Sequence, residues 1–418
     1  MHMNKKPVAA LGLALAAILS TTGCGSAAKS DASSNEKVTI KYSNFTSNGG
    51  NEKNLDTIVQ AFEKANPNIT VQVTTLPYKD YATALQTDLS AGTQADTFDI
   101  EYANLGSYVA NGAVAPLDGV DGSKYKESLL KSYQSDGKQY ALPSSFSDVV
   151  LYFNKDLFDK AGVKYPTASW TWADETAAAK KITDSGAGVY GDFQNVSFYE
   201  FYKALEQTGG KFLNDDGKSV AFNSPQGVKA AEWLAGKSGT TMPTPAQGAG
   251  TPDFDTKLFK DGKLGMLHSG IWVASSFADT PKNWDIVVEP GDTQKASALF
   301  SNAVAVSANT KNQAAAQKWA DFMTSSEVMA QTRISSGWEL PPTSDESVLK
   351  PYLTKDKPAN RKAVFDALEH VALPPVIGDN QQKMVDIITN ALGEVEAKRS
   401  SASDALKGAA DQINALLK

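Results

Sequence analysis

The sequence predicts an α/β fold in two lobes, and three observations lead there. A chain of 418 residues, 41% hydrophobic and 21% charged, is longer than one hydrophobic core usually serves. From residue 38 onward, strand-like alternation and helix-like periodicity take turns, the pattern of strands lying side by side with helices packed on them. The stretch 141–158 then carries a proline, a small polar pair, a phenylalanine and one acid before a continuous apolar strand. That order predicts a chain that closes one lobe at 142–143, bends through 144–148, and enters the sheet of the other from Val149.

The elements follow in order. Val38, Ile40 and Tyr42 alternate with polar residues as a strand does, and a polar, Gly-rich loop from Phe45 to Gly50 leads into a helix faced by Leu55, Ile58, Val59 and Phe62. Asn66-Pro67 ends that helix. Residues 69–73 read as a second strand, 81–89 as a helix closed by Gly92, and 98–102 as a third strand. Ligands of open α/β sheets bind beyond the carboxyl ends of strands, which puts Phe45, Tyr102 and Asn104 on a candidate binding edge. Further on, 172–182 and 197–207 read as helices, with a short strand expected over 188–193. Asn214-Asp215-Asp216-Gly217 reads as a turn, and Ser224-Pro225 as a helix start with serine capping and proline in the first turn. Residues 236–252 form a Gly/Pro/Thr-rich loop, 264–270 a strand whose end delivers Trp272, and 303–307 a strand returning to the first lobe. Helices follow at 312–324 and 407–417.

Composition excludes several chemistries. A net charge of −7 with dispersed lysines argues against a nucleic-acid or anionic-membrane surface. One cysteine and three histidines allow neither an intramolecular disulfide nor a Cys/His metal cluster, and no residue pattern calls for a cofactor. The single cysteine sits at the N-terminus. Lys5 and Lys6, then an apolar run over 8–19, then Gly23-Cys24 predict a signal peptide at 1–23 that resembles a bacterial lipoprotein signal with Cys24 as the lipidated residue. Thr21 stands where such signals usually carry leucine, so a plain secretory signal is the alternative. Residues 24–36 have the composition of a flexible tether.

Other motifs carry less. Gly186-Ala187-Gly188-Val189-Tyr190-Gly191 fits a dinucleotide pattern but follows a helix instead of a strand, and reads as a turn. Asp96, Asp99 and Glu101 invite a glycosidase reading, yet spacing along one strand does not oppose two carboxylates across a sugar. Asp99 and Glu101 share a face and read as a solvated edge or as acceptors for sugar hydroxyls. His268 lacks a neighbouring nucleophile and reads as structural.

The stretches Phe62-Glu63-Lys64-Ala65-Asn66-Pro67, Leu151-Tyr152-Phe153-Asn154-Lys155-Asp156-Leu157-Phe158, Phe259-Lys260-Asp261-Gly262-Lys263-Leu264-Gly265-Met266 and Gly270-Ile271-Trp272 resemble the bacterial extracellular solute-binding proteins of family 1, the maltose-binding-protein-like sugar-binding lipoproteins of ABC importers. The resemblance spans 37–418. It implies a type II periplasmic-binding-protein-like fold with a ligand cleft between lobes joined by several hinges. Lobe 1 is then 37–143 plus about 303–336, lobe 2 about 149–299 plus 343–418, and the hinges lie near 144–148, 300–302 and 337–342. It further implies a non-enzymatic monomer, lipid-anchored on the extracytoplasmic face of the cell membrane, that captures a sugar or oligosaccharide by lobe closure and passes it to the permease's transmembrane subunits.

A sugar cleft needs aromatic faces for C–H surfaces and carboxylates or amides for hydroxyls. Trp272 stands where the family often places a stacking tryptophan, and Phe45 and Tyr102 provide an opposing wall or pack. Tyr199 lies near a family sugar-contacting aromatic, within a helix whose other aromatics read as core. Trp338 and Glu339 fall in a segment that the family uses near the cleft, and Phe146 and Asp148 where the chain passes the cleft base; for Asp148 a capping role is the alternative. A secreted carbohydrate-active enzyme and a binder of a non-sugar solute are the other readings. With Arg333, Arg361 and Arg399 as the only arginines, a doubly charged phosphate ligand is disfavoured.

Overall fold

The computed structural model describes residues 37–417, apart from 49, 252, 278–279, 281–282 and 356. The signal peptide, the tether and Cys24 lie outside the described residues. Residues 37–418 form one compact unit.

Among the described residues there are ten strands: β1 (Val38–Asn44), β2 (Ile69–Thr75), β3 (Thr97–Glu101), β4 (Gln134–Ser135), β5 (Lys138–Gln139), β6 (Ala141–Asn154), β7 (Met266–Gly270), β8 (Trp284–Val287), β9 (Ser297–Val306) and β10 (Val371–Ala372). β4 and β5 form a small hairpin. The others join in the order β2-β1-β3-β9-β6-β7, with β8 also on β6 and β10 on β9. β1 runs parallel to both β2 and β3, as its βαβ connection through the helix Glu52–Ala65 requires. The helix Tyr78–Ala91 links β2 to β3 and ends on Gly92, whose φ of 68° is the left-handed cap expected there. Thr171 caps the helix Trp172–Asp184 in a reciprocal box with Asp174, and Ser224 caps Pro225–Gly236 ahead of its proline, as the sequence predicts. The expected strand at 188–193 is absent: Tyr190 makes only an isolated bridge to Leu264.

The stretch 141–154 folds as one 14-residue strand, β6, buried at every position, and a helix begins at Lys155. Ala141 to Asp148 pair antiparallel with β9, and Val149 to Phe153 pair antiparallel with β7, while Leu151 to Asn154 pair with β8 on the other side. Asp148 is thus the last residue held by β9 and Val149 the first held by β7. A register shift between Pro143 and Ser145 marks a bulge in the β6–β9 ladder. β9 is also continuous, pairing with β3 at Asn302 to Val306 and with β10 at Ser297 and Ala298. Apolar cores lie on both sides of these strands. One gathers Tyr42, Phe62 and Trp319, which stack edge to face, and another gathers Phe146, Tyr152, Phe259 and Trp284.

A buried ionic network joins the helix Phe198–Gln207 to β7. His268 on β7 places Nδ1 2.6 Å from Glu289 and Nε2 2.9 Å from Glu175. Lys203, on the helix Phe198–Gln207, lies 2.5 Å from Glu200 and 2.6 Å from Glu289. Lys237 pairs with Glu175 at 2.6 Å and Asp192 at 3.1 Å, and donates to Gln194. Glu200, His268 and Glu289 bring donor atoms within 4.8 Å of one another, but the ammonium of Lys203 already supplies the positive charge between the two carboxylates. Burial alone would lower the His268 imidazole; Glu175 and Glu289 overcome it and hold the group up to about 9.

Asp148 has the opposite problem. It is fully buried, and neither carboxyl oxygen finds a partner on another residue. Burial, with Glu289 adding repulsion, pushes its carboxyl well above the ordinary range.

Both groups make stability fall as pH rises, in different pH windows. A histidine raised from 6.5 to about 9 stabilises the fold fully below pH 6.5 and loses that contribution as pH rises through 9, a matter of a few kcal/mol. His268→Gln should lower Tm at pH 6.5 and flatten its decline between pH 7.5 and 9.5 in thermal melts. A raised carboxyl takes up a proton on folding, so stability falls as pH rises above the unfolded value near 4. Asp148→Asn should therefore stabilise at pH 7 by on the order of 1 kcal/mol, with the gain shrinking toward pH 4; an unchanged Tm at both pH values would contradict it.

Candidate functional site

Strand ends and helix starts converge on one aromatic and carboxylate surface. The turn after β1 presents Phe45, half-buried, 5.3 Å from the ring of Tyr78 and 4.9 Å from that of Tyr81. Tyr81 is held in place by donating to the carbonyls of Ser43 and Asp99. Tyr78 opens its helix after Pro77, is 57% exposed, and donates its hydroxyl to Glu101 at the end of β3 at 3.0 Å. Burial raises the Glu101 carboxyl; the Tyr78 hydroxyl partly offsets this and Glu339 adds to it. Glu101 has no cation within 4.0 Å among the described residues. Tyr102 and Asn104 follow in a short 3₁₀ turn (Tyr102–Asn104), both partly exposed, with the Tyr102 ring edge-on to Tyr133 at 6.4 Å.

Facing groups come from elsewhere in the chain. Tyr199 is 40% exposed at the start of its helix, and burial followed by the Glu101 charge raises its phenol. Its ring lies 5.7 Å from Phe300 on β9, and Phe300 lies 5.3 Å from Trp272, edge to face. Trp272 follows β7 in a 3₁₀ turn and is 45% exposed. Gly270 explains the Gly-x-Trp spacing: a Cβ there would come within 1.9 Å of the Trp272 ring, so only glycine lets the indole fold back over the strand end. The helix bearing Tyr199 and the strand delivering Trp272 are the two elements that Lys203 and His268 join through Glu289.

Glu339 reaches the same region from the segment after Gly337. It accepts from Ser145 Oγ at 2.5 Å and from Asn302 Nδ2 at 3.1 Å, and its side chain is 21% exposed.

Three expectations need correction. The Phe146 ring has no exposed surface; it packs in the core 6.3 Å from Phe365 because β6 is covered on both faces. Asp148 is enclosed in the same strand and caps no helix. The Trp338 ring is turned into the core around Trp319, stacked on Arg333 at 4.0 Å, with Nε1 donating to the Thr46 carbonyl. Phe45, Tyr102, Asn104, Tyr199, Trp272 and Glu339 keep exposed surface. Sequence reasoning missed Tyr78, Phe300, Asn302 and Ser145, and undervalued Glu101. Tyr78 had a signal, an aromatic directly after the proline that starts a helix; Phe300 and Asn302 had none, because their neighbours arrive from distant segments.

Comparison with known proteins bears on the family and the fold. Residues 57–362 match the model of a family described as bacterial extracellular solute-binding protein. The chain is 41% identical to the ABC substrate-binding protein Lmo0181 from Listeria monocytogenes, whose structure in complex with cycloalternan superposes with a TM-score of 0.84, covering 91% of this chain and 98% of that one. It is 26% identical over 358 residues to the galactooligosaccharide-binding protein of Bacillus subtilis, covering 82% of this chain and 81% of that protein. Over 344 residues it is 25% identical to the maltooligosaccharide ABC transporter solute-binding lipoprotein of Streptococcus pneumoniae, covering 77% of each. With its two-lobed α/β fold, the chain belongs to the bacterial extracellular solute-binding proteins.

Proposed function

We propose that this protein captures an oligosaccharide in the cleft between its lobes and delivers it to an ABC permease, acting as a binder and not as an enzyme. One observation carries the reading. The exposed rings of Tyr78 and Tyr199 lie near the desolvated carboxylate of Glu101, which Glu339 also influences, and Tyr199 continues through Phe300 to the exposed ring of Trp272. Soluble proteins seldom leave three large aromatics exposed together unless a ligand covers them. Pyranose faces fit the rings, and hydroxyl donors satisfy the carboxylates. The oligosaccharide binding named for the relatives above supports the class, and cycloalternan is the first ligand to try.

Ligand touching both lobes favours their approach, so binding shifts an open–closed equilibrium toward the closed form. That form is what the permease's transmembrane subunits recognise. Cys24 carries the lipid that holds a monomer on the extracytoplasmic face of the membrane.

Calorimetry and thermal shift with cycloalternan, maltotetraose and a galactooligosaccharide test the reading. At 100 times its dissociation constant, a true ligand should stabilise the fold by about 2.7 kcal/mol. A shift only with an amine or a phosphodiester would overturn the sugar assignment, and release of shorter saccharides on incubation would overturn the non-enzymatic one. Within a positive result, Trp272→Ala should weaken binding about tenfold or more without lowering Tm in the absence of ligand. Gly270→Ala should weaken it in the same direction, because the new methyl displaces the indole; equal affinity in both variants would remove Trp272 from the site.

A further inference from the structure

Glu339 joins three chain segments at one point. Its own segment is fastened to β6 where the Phe146 amide donates to the Leu340 carbonyl at 3.0 Å. Its carboxylate accepts from Ser145 of β6 at 2.5 Å and from Asn302 of β9 at 3.1 Å. Ser145 and Asn302 are register partners directly beside the bulge in the β6–β9 ladder. A bulge interrupts pairing and lets a strand bend, so the carboxylate fastens the two long strands where their ladder is weakest.

Behind Glu339 lies Arg333, on the helix Glu327–Ser336. It is fully buried, and none of its three guanidinium nitrogens has a hydrogen-bonding partner. A buried guanidinium in that condition is costly unless an opposite charge compensates it. Trp338 covers one face at 4.0 Å, and Nη1 lies 3.9 Å from Glu339 Oε2. Asp99 also feels the charge, but its oxygens already accept from Tyr42 and Thr46. Among the described residues, Glu339 is the carboxylate within ion-pair distance of Arg333. Glu339 keeps 21% of its side chain exposed, and its charge reaches Glu101.

We infer that Arg333 and Glu339 form an electrostatic clasp at the β6–β9 bulge. Glu339 contacts the ligand and holds the crossing strands, and Arg333 is a positioning residue that acts through Glu339. The ligand-contact half rests on the cleft reading above; the strand-fastening half does not. A ligand hydroxyl donating to Glu339 competes with Ser145 and Asn302 for the same oxygens. Occupancy of the cleft thereby changes how tightly the strands are fastened, which couples binding to lobe angle.

The test uses Glu339→Gln, Arg333→Met, Arg333→Lys and the double variant Arg333→Met/Glu339→Gln, with cycloalternan as the probe in calorimetry and small-angle scattering of the ligand-free protein. Each of Glu339→Gln and Arg333→Met should weaken binding about tenfold. The double variant should be no worse than the weaker single by more than about twofold, because both changes remove one interaction. Arg333→Lys should recover most of the loss, which a purely steric role of the arginine would not produce. In ligand-free scattering, Glu339→Gln and Arg333→Met should both alter the radius of gyration. Losses that multiply in the double variant, or a lysine variant no better than the methionine one, would overturn the coupling. If the unsubstituted protein ignores cycloalternan, the choice of that ligand falls, and scattering alone decides the clasp: an unchanged radius of gyration in both single variants sinks it. If Arg333→Met does not fold, Glu339→Gln and Arg333→Lys decide: wild-type affinity and radius of gyration in Glu339→Gln overturn the clasp.

Discussion

The pairing of β6 with β9 is the constraint from which the rest follows. Two long antiparallel strands lie side by side, and each changes neighbours along its length, β6 from β9 to β7 and β8, β9 from β3 to β10. Every backbone group in such strands must be paired or covered, because an unpaired buried amide costs as much as a lost hydrogen bond. That requirement makes β6 buried throughout and leaves little freedom in how the sheets on either side are oriented. The Pro143–Ser145 register shift breaks the regularity of this ladder, and beside it the side chains of Ser145 and Asn302 donate to Glu339.

A second constraint is electrostatic. Four buried carboxylates, Glu175, Asp192, Glu200 and Glu289, share Lys203, Lys237 and His268. Buried ion pairs contribute little net stability compared with apolar packing, but removing one partner leaves an uncompensated charge and is strongly destabilising. Such a network tolerates only one arrangement of the elements that it joins. It joins the helix carrying Tyr199 to the strand delivering Trp272, so the cost of burying these charges goes into holding two exposed rings in a fixed relation. Rings that are already fixed lose little conformational freedom when a ligand covers them.

Periodicity and turn chemistry made most of the fold legible. The alternation in β1, the glycine at 92, the serine and proline at 224 and 225 and the apolar run from Val149 each reported a local constraint, and each element formed where that constraint pointed. The site was legible only where a local cause existed. Trp272 was visible because it follows a strand end, and the structure adds that Gly270 lacks a side chain beneath its ring. Residues 144–148 misled because serines and an acid resemble a solvent-facing crossing. In the folded chain Ser145 donates to Glu339, Ser147 accepts from the Ile271 amide, and Asp148 remains buried without a partner on another residue, so polarity there reports internal bonding and one unfilled need. Trp338 misled for a related reason: its attraction to the Arg333 guanidinium involves a residue five positions earlier, whose burial no sequence window reveals.

The distribution of charge around Glu101 and Glu339 bears on the proposal of a neutral, hydroxyl-rich ligand. Glu101 is desolvated with no cation beside it among the described residues, and Glu339 repels it. An anionic ligand would add a third negative charge in a region of low dielectric, where repulsion between like charges is least screened. A hydroxyl donor satisfies a desolvated carboxylate without importing charge, and several on one ring satisfy several acceptors at once. The positive charge that accompanies these carboxylates, Arg333, is fully buried behind Glu339 with Trp338 stacked on it, so it offsets the negative potential from behind while offering a ligand no surface to bind. The cleft thus presents acceptors and aromatic faces outward and keeps its nearest guanidinium inward, an order of layers that favours sugars over phosphates before any particular linkage is considered.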